Sequence, residues 1–352
     1  MGYYLILAPI IFISSGCGCS KKPVDDIEEK VAAYMQCQQY IPGTNKPVGN
    51  LWPDYSGDEC NLRNENLRTG DVEVRVFFIR HARAVWNAWQ DQVWTFFGVP
   101  PKWKRDAQLT DTGIRGALGL RDWIFEENCN DDVSQCFLAG KPQKLEDKKR
   151  RVVFAVSRLR RAVMTALLAF EKRLPFYPDD GYLKIKHFHL LSSLAETNSN
   201  VDSKSMTPPG NIPFFSYGET CPLSQGIMRK LFHTECSVDE QSNVEDFCLW
   251  MRQQVNLNEP TASFGKEAAN REITDFVIVG HSQWIYHFFT KYLTLKPDQK
   301  DKEGEELQKW SKKFPNQGLV RFHMRLLESG GCEIIPETTK MLYKTMENKI
   351  FR

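Results

Sequence analysis

The chain holds 352 residues, with 46 lysines and arginines against 44 acidic residues and 41% apolar residues. A composition with 22 Phe, 9 Trp and 11 Tyr excludes a disordered chain, and a formal charge of +2 gives no electrostatic case for nucleic acid. No apolar run beyond the first fifteen residues is long enough to span a bilayer, and the length allows a substantial core in one large or two modest domains.

Residues 1–22 leave several readings open. Tyr3 to Ile13 is apolar and runs into Ser14-Ser15-Gly16-Cys17-Gly18-Cys19, which suits a signal or anchor although no basic residue precedes it. Gly16-Cys17-Gly18-Cys19-Ser20-Lys21-Lys22 also has the form of an acylated start, in which case residues 1–15 lie upstream of the true product. The segment can equally be neither. The compartment follows the reading: cytoplasmic, attached to a membrane by acylation near Gly16, or secretory if residues 1–19 act as a signal.

Residues 23–70 read as an N-terminal extension. It holds one helix from about Asp25 to Tyr40, then a loop marked by Pro42, Gly43, Pro47, Gly49, Pro53 and Gly57. The domain proper spans 71–352. Val72 to Ile79 reads as a strand and Ala84 to Phe97 as a Trp-rich helix. Asp111 to Glu127 is a helix capped by Thr110 or Asp111. Arg151 to Val156 is a strand, Leu159 to Leu174 a helix, and Leu183 to Leu191 a strand. An insert is expected over about 197–243, where Pro208, Pro209, Gly210, Pro213 and Gly218 suggest a lid or rim. Asp275 to Val279 is a strand and Ser282 to Leu293 a helix. Leu319 to Arg325 and Glu333 to Ile335 close as a hairpin around Glu328 to Gly331.

Strands separated by helical crossovers predict an α/β fold: a three-layer α/β/α sandwich around a mainly parallel central sheet. In such sheets ligands bind beyond the carboxyl ends of the strands. Those ends carry Arg80-His81-Ala82-Arg83, Ser157-Arg158-Leu159-Arg160-Arg161, Glu196, and Gly280-His281-Ser282. Two histidines and at least two arginines therefore stand where strands give way to helices. Guanidinium forks match the non-bridging oxygens of a phosphoryl group and stay charged. A neutral imidazole whose other nitrogen is held as a donor offers a nucleophile, a second imidazole can stabilise the transition state, and a carboxylic acid can protonate the leaving group. The chemistry needs no metal.

The constellation resembles the histidine phosphatase superfamily, the phosphoglycerate-mutase-like fold. The R-H-G-x-x-x-x-N motif is present as Arg80 to Asn87, with Ala82 in place of Gly. D-x-x-L-T-x-x-G is Asp106 to Gly113, S-x-L-x-R-A-x-x-T-A is Ser157 to Ala166, L-x-E is Leu194 to Glu196, and G-H-[GS] is Gly280 to Ser282. The five come in the family's order over about residues 72 to 326. The resemblance implies a phosphoric monoester hydrolase with His81 as the nucleophile and Glu196 as proton donor. Arg80, Arg161, His281 and Asn87 would then hold the phosphate, and no cofactor is called for. Thr110 and Gly113 are expected to shape the loop and helix start. The partner implied is a small phosphorylated substrate or a phosphoprotein.

Alternatives remain. A phosphoglycerate-type phosphomutase would use the same intermediate. A catalytically weakened scaffold would explain Ala82, which costs stability if that position needs a positive φ. A serine α/β-hydrolase would use Ser282 in Gly280-His281-Ser282-Gln283-Trp284, although Trp284 stands where the elbow needs a small residue. Elsewhere the plainer readings are preferred. Arg158 and Arg160 are taken as solvated, His187 and His189 as a pair without a third metal ligand, Trp86, Trp89, Trp94 and Trp103 as packing, and Asp298 to Lys313 as a solvated charge run. The ten cysteines lack regular spacing and any C-x-x-C, so structural or free thiols are favoured over disulfides.

Overall fold

The strands of the central sheet are apolar runs whose alternate residues serve opposite faces. A computed structural model describes residues 70–88, 106–126, 133–141, 151–175, 177, 181–196, 231–234, 243–256, 274–294 and 314–344. Seven strands form one sheet: β1 (Val72–Arg80), β2 (Arg151–Ser157), β3 (Phe188–Leu191), β4 (Phe232–Thr234), β5 (Thr274–Gly280), β6 (Leu319–Leu326) and β7 (Cys332–Tyr343). The spatial order is β4-β3-β2-β5-β1-β6-β7. The pairings from β4 across to β1 are all parallel, and only β1/β6 and β6/β7 are antiparallel.

Phe77 and Ile79 of β1 face the core beneath α1 (Asp111–Ile124), α2 (Val133–Ala139) and α3 (Arg160–Ala169). Val74, Val76 and Phe78 face the other core, beneath α4 (Val244–Asn256) and α5 (Ser282–Tyr292). Phe276 and Ile278 of β5 join that second core, while Val277 and Val279 join the first. Both faces of the parallel strands are covered, which is why they read as nearly continuous apolar runs. The result is the expected three-layer α/β/α sandwich.

Several expectations change in detail. The helix expected to run to Leu174 stops at Ala169, and Glu171–Arg173 forms a separate 3-10 turn. Pro175 follows, and a residue before proline is pushed out of the helical region, as the extended ψ of 145° at Leu174 shows. The strand expected from Leu183 starts only at Phe188. The Leu183 and Ile185 amides donate instead to the carbonyls of Gly140 and Arg173. Strand β4 falls inside the stretch expected as an insert, so the end of that stretch belongs to the sheet. Helix α4 was not expected, although Val244, Phe247, Cys248, Met251 and Val255 recur with helical spacing and all are buried.

The thiol reading is also corrected. Cys248 of α4 and Cys332 of β7 form a disulfide, and Cys136 is disulfide-bonded too. The packing of α4 over the antiparallel end of the sheet brings the two Cα atoms within 6.1 Å, a distance sequence spacing does not encode. Among the described residues no helix is long and apolar enough to cross a membrane. The readings of residues 1–69, of Trp89, Trp94 and Trp103, and of Asp298 to Lys313 lie outside the described residues. Only residues 84–88 of the expected Trp-rich helix are described: Ala84 forms an isolated antiparallel bridge with Leu109, and residues 85–88 are helical.

Candidate active site

Register decides which strand ends meet. Arg80 of β1 pairs with Gly280 of β5, so His81 and His281 leave the sheet side by side. The His81 amide donates to the Gly280 carbonyl at 2.9 Å, and the two ring centroids are 4.9 Å apart. On the other side of β5, Val156 pairs with Val279, which brings Ser157 level with the same edge. The Ser157 hydroxyl lies 2.8 Å from His281 Nε2. Gly280 sits tightly here, since a Cβ on it would come within 3.0 Å of the Phe78 ring.

His81 has a defined tautomer. Its Nδ1 lies 2.7 Å from the Ala82 carbonyl, which can only accept, so Nδ1 carries the hydrogen. Nε2 is then the unprotonated nitrogen, and Arg161 Nε donates to it at 3.3 Å. Burial, followed by the charges of Arg161 and then Arg80, holds His81 well below its ordinary pKa; the Ala82 hydrogen bond opposes this and is outweighed. His281 is lowered in the same way by burial, Arg161, His81 and Arg80. Both rings are neutral near pH 7.

Glu196 closes the group. Its Oε1 accepts the Gln283 amide at the start of α5 at 3.1 Å. Its Oε2 lies 3.5 Å from His281 Nδ1 and 3.8 Å from Arg161 Nη2. Arg80 is anchored by donating to the Phe314 carbonyl. His81, His281, Arg161, Glu196 and the charge of Arg80 are thus brought together from the ends of three strands and the segment after a fourth. Asn87 is placed differently: its Oδ1 accepts the Ala84 amide at 3.0 Å, which braces the turn after His81.

The remaining motif residues fasten the loop. Thr110 caps α1 by accepting the Gly113 amide at 3.0 Å and donates to the Arg83 carbonyl at 3.1 Å. A Cβ on Gly113 would stand 2.0 Å from that carbonyl, so the close approach requires glycine. Asp106, at φ +52°, accepts the Arg160 amide at 2.8 Å and caps the first turn of α3 from another part of the chain. Thr165 accepts the Ala82 amide at 2.9 Å and donates to the Arg161 carbonyl at 2.7 Å, tying the His81 loop to the helix that carries Arg161. Ser157, Thr165 and Asp106 all lie within the motifs, but their roles depend on contacts with distant segments that spacing does not show.

Ala82 is buried and is not at positive φ, so the expected strain is absent. Arg158 and Arg160 correct the solvated reading, with exposures of 5% and 7%. Arg158 donates to the Ser192 hydroxyl at 3.0 Å. Ser282 begins α5 and has no positive φ, so the strained turn of a nucleophile elbow is missing. His187 and His189 meet Nε2 to Nε2 at 3.1 Å, and His189 packs edge-on against Trp250.

One donor atom from each of His81, Glu196 and His281 lies within 4.8 Å of the others, close enough to hold a divalent cation. The two guanidiniums that depress both imidazole pKa values give that space a positive field, which favours an anion over a cation.

No protein-family model matches the sequence, and comparison with curated proteins gives no match. Solved structures similar to the chain include three phosphatases. A mycobacterial glucosyl-3-phosphoglycerate phosphatase is 13% identical over 78% of this chain and 99% of its own, with a TM-score of 0.33. The protein histidine phosphatase SixA complexed with tungstate is 12% identical over 74% and 94%, with a TM-score of 0.32. A phosphoserine phosphatase from Entamoeba histolytica is 15% identical over 77% and 95%, with a TM-score of 0.30. Those names describe those proteins.

Proposed function

We propose that the protein is a histidine phosphatase, a metal-independent phosphoric monoester hydrolase working through phosphohistidine at His81. The observation that carries this is the tautomer of His81: the Ala82 carbonyl takes the hydrogen on Nδ1, and Nε2 faces Arg161 and His281. In that arrangement Nε2 attacks phosphorus, the P–N bond forms and the P–O ester bond breaks. Arg80, Arg161 and His281 hold the non-bridging oxygens as charge shifts toward the leaving group. Glu196 supplies the proton to the leaving alkoxide. Its Oε1 is committed to accepting from Gln283, so the proton is carried on Oε2, which faces the pocket. An arriving phosphate dianion favours that protonated form. Glu196, now a carboxylate, takes a proton from water, which attacks the phosphohistidine; the P–N bond breaks and inorganic phosphate leaves. Bound substrates fitting this scheme are small phosphate monoesters or phosphorylated side chains.

The test is turnover of p-nitrophenyl phosphate by the full chain in the presence of EDTA, with acid-labile, base-stable labelling that is absent from His81→Ala. Loss of turnover on chelation, or labelling that survives the substitution, refutes the proposal. Transfer of the label to a substrate hydroxyl in preference to water would make the enzyme a mutase.

A further inference from the structure

Deepening the phosphohistidine reading and resting on it, we infer that Ser157 is a positioning residue: a chain from the Leu159 amide through the Ser157 hydroxyl fixes His281 as the Nδ1–H tautomer, presenting a neutral hydrogen-bond donor to the substrate phosphoryl group.

The hydrogens in this closed space have few places to go. Ser157 and His281 are both fully buried, and Ser157 Oγ lies 2.8 Å from His281 Nε2. That contact can be made in two ways. In one, Nε2–H donates to the serine oxygen. The serine hydrogen then needs another acceptor, and the groups around the hydroxyl are His281 and the Leu159 amide, which is itself a donor, 3.4 Å away. The buried serine hydrogen would be left without a partner. His281 Nδ1, 3.5 Å from Glu196 Oε2, would then have no hydrogen to give a bound phosphoryl group. In the other arrangement the serine oxygen accepts from Leu159 and its hydrogen goes to Nε2. Nδ1 then carries the ring hydrogen and points at Glu196 Oε2. Each hydrogen from Leu159 through Ser157 to His281 has a direction, and His281 Nδ1 is left without a hydrogen bond of good geometry. An oxygen of a bound phosphoryl group can provide that missing partner.

The charges around the ring agree. Arg161, Arg80 and His81 all face His281 and disfavour a second proton on it, and Glu196 is the acid group that faces it. A neutral imidazole has a single hydrogen to give, so its usefulness to an anion depends on which nitrogen bears it. Ser157 decides that.

The experiment is long-range proton–nitrogen NMR of the full chain uniformly labelled with 15N. The His281 ring is assigned by comparison with His281→Asn, at a pH above the ordinary histidine range. The expected wild-type spectrum has a protonated Nδ1 and an unprotonated Nε2 at His281. Ser157→Ala is expected to give a mixture of tautomers and to lower kcat on p-nitrophenyl phosphate by roughly 10–100-fold, less than removal of the donor itself. Ser157→Thr keeps the hydroxyl and is expected to restore the single tautomer and most of the turnover. A protonated Nε2 in the wild type overturns the inference, as does Ser157→Ala with unchanged tautomer and unchanged kcat. The wild-type spectrum decides even if Ser157→Ala does not fold. A protein that shows the Nδ1–H tautomer but hydrolyses no phosphoester fails the phosphatase reading and leaves the hydrogen-bond chain standing.

Discussion

Two buried arginines in this molecule live under opposite conditions. Arg121 in α1 donates to Glu171 at 2.7 Å and meets Asp122 at 2.7 Å. Burial alone would lower its pKa, but the hydrogen bonds and charges of Glu171 and Asp122 more than offset that, and the net shift is upward. Arg161 in α3 is equally buried, yet it donates to a neutral imidazole nitrogen, with its Nη2 3.8 Å from Glu196 Oε2. The first arrangement fixes one helix to the turn after another. The second leaves positive potential concentrated on two imidazoles, which respond by losing basicity. A buried charge answered by close opposite charges holds structure together, whereas one directed at nucleophilic nitrogen prepares a place for an anion.

The strongest test of that contrast is His81→Ala. Turnover of p-nitrophenyl phosphate should fall on the order of 10³-fold or more, with the denaturation midpoint little changed. Full activity in that variant would erase the difference between the two regions. Next, Glu196→Gln should cost about 10²–10³-fold with alkyl phosphates and about tenfold or less with p-nitrophenyl phosphate, because a good leaving group needs no proton. An equal loss on both substrates would remove Glu196 as the acid.

On the structural side, Arg121→Met should cost about 3–5 kcal/mol in urea unfolding, since it strands a buried carboxylate. The double variant Arg121→Met/Glu171→Leu should recover most of that loss, and activity per folded molecule should stay at the wild-type level. A drop in kcat with stability unchanged would put Arg121 in the wrong class.

The smallest expected effect is on pH. Both histidines have folded pKa values below 6.5, so below about that pH the unfolded chain binds protons that the folded pocket refuses. Stability is therefore fully present above the unfolded value and falls as the solution is acidified through it. The slope is at most about 1.4 kcal/mol per pH unit for each ring. Replacing His81 by Asn should make that slope shallower. A slope that survives replacement of both histidines would locate the titration elsewhere.

Much of this was legible before any coordinate. Apolar runs ending in Arg80-His81, Ser157 and Gly280-His281 announce strands whose carboxyl ends carry polar groups, and the structure sets His81, His281, Arg161 and Glu196 around one space. The Thr110 cap was readable because an N-cap acts within three residues of chain. Arg158 and Arg160 were misread because charge alone suggests solvent, and their partners Ser192 and Asp106 lie on other segments. Helix α4 carries its own apolar period in Val244, Phe247, Cys248, Met251 and Val255.

By itself the sequence determined the alternation of strand and helix and the types of group available at the strand ends, because patterning and capping act over a few residues. Tertiary structure alone decided which of those groups touch: β1 against β5 in register at Arg80 and Gly280, Ser157 under His281, Arg121 on Glu171, and Cys248 with Cys332. Such contacts join residues from 50 to 200 positions apart. They depend on how the layers pack and how the strands align, and linear spacing carries no record of either.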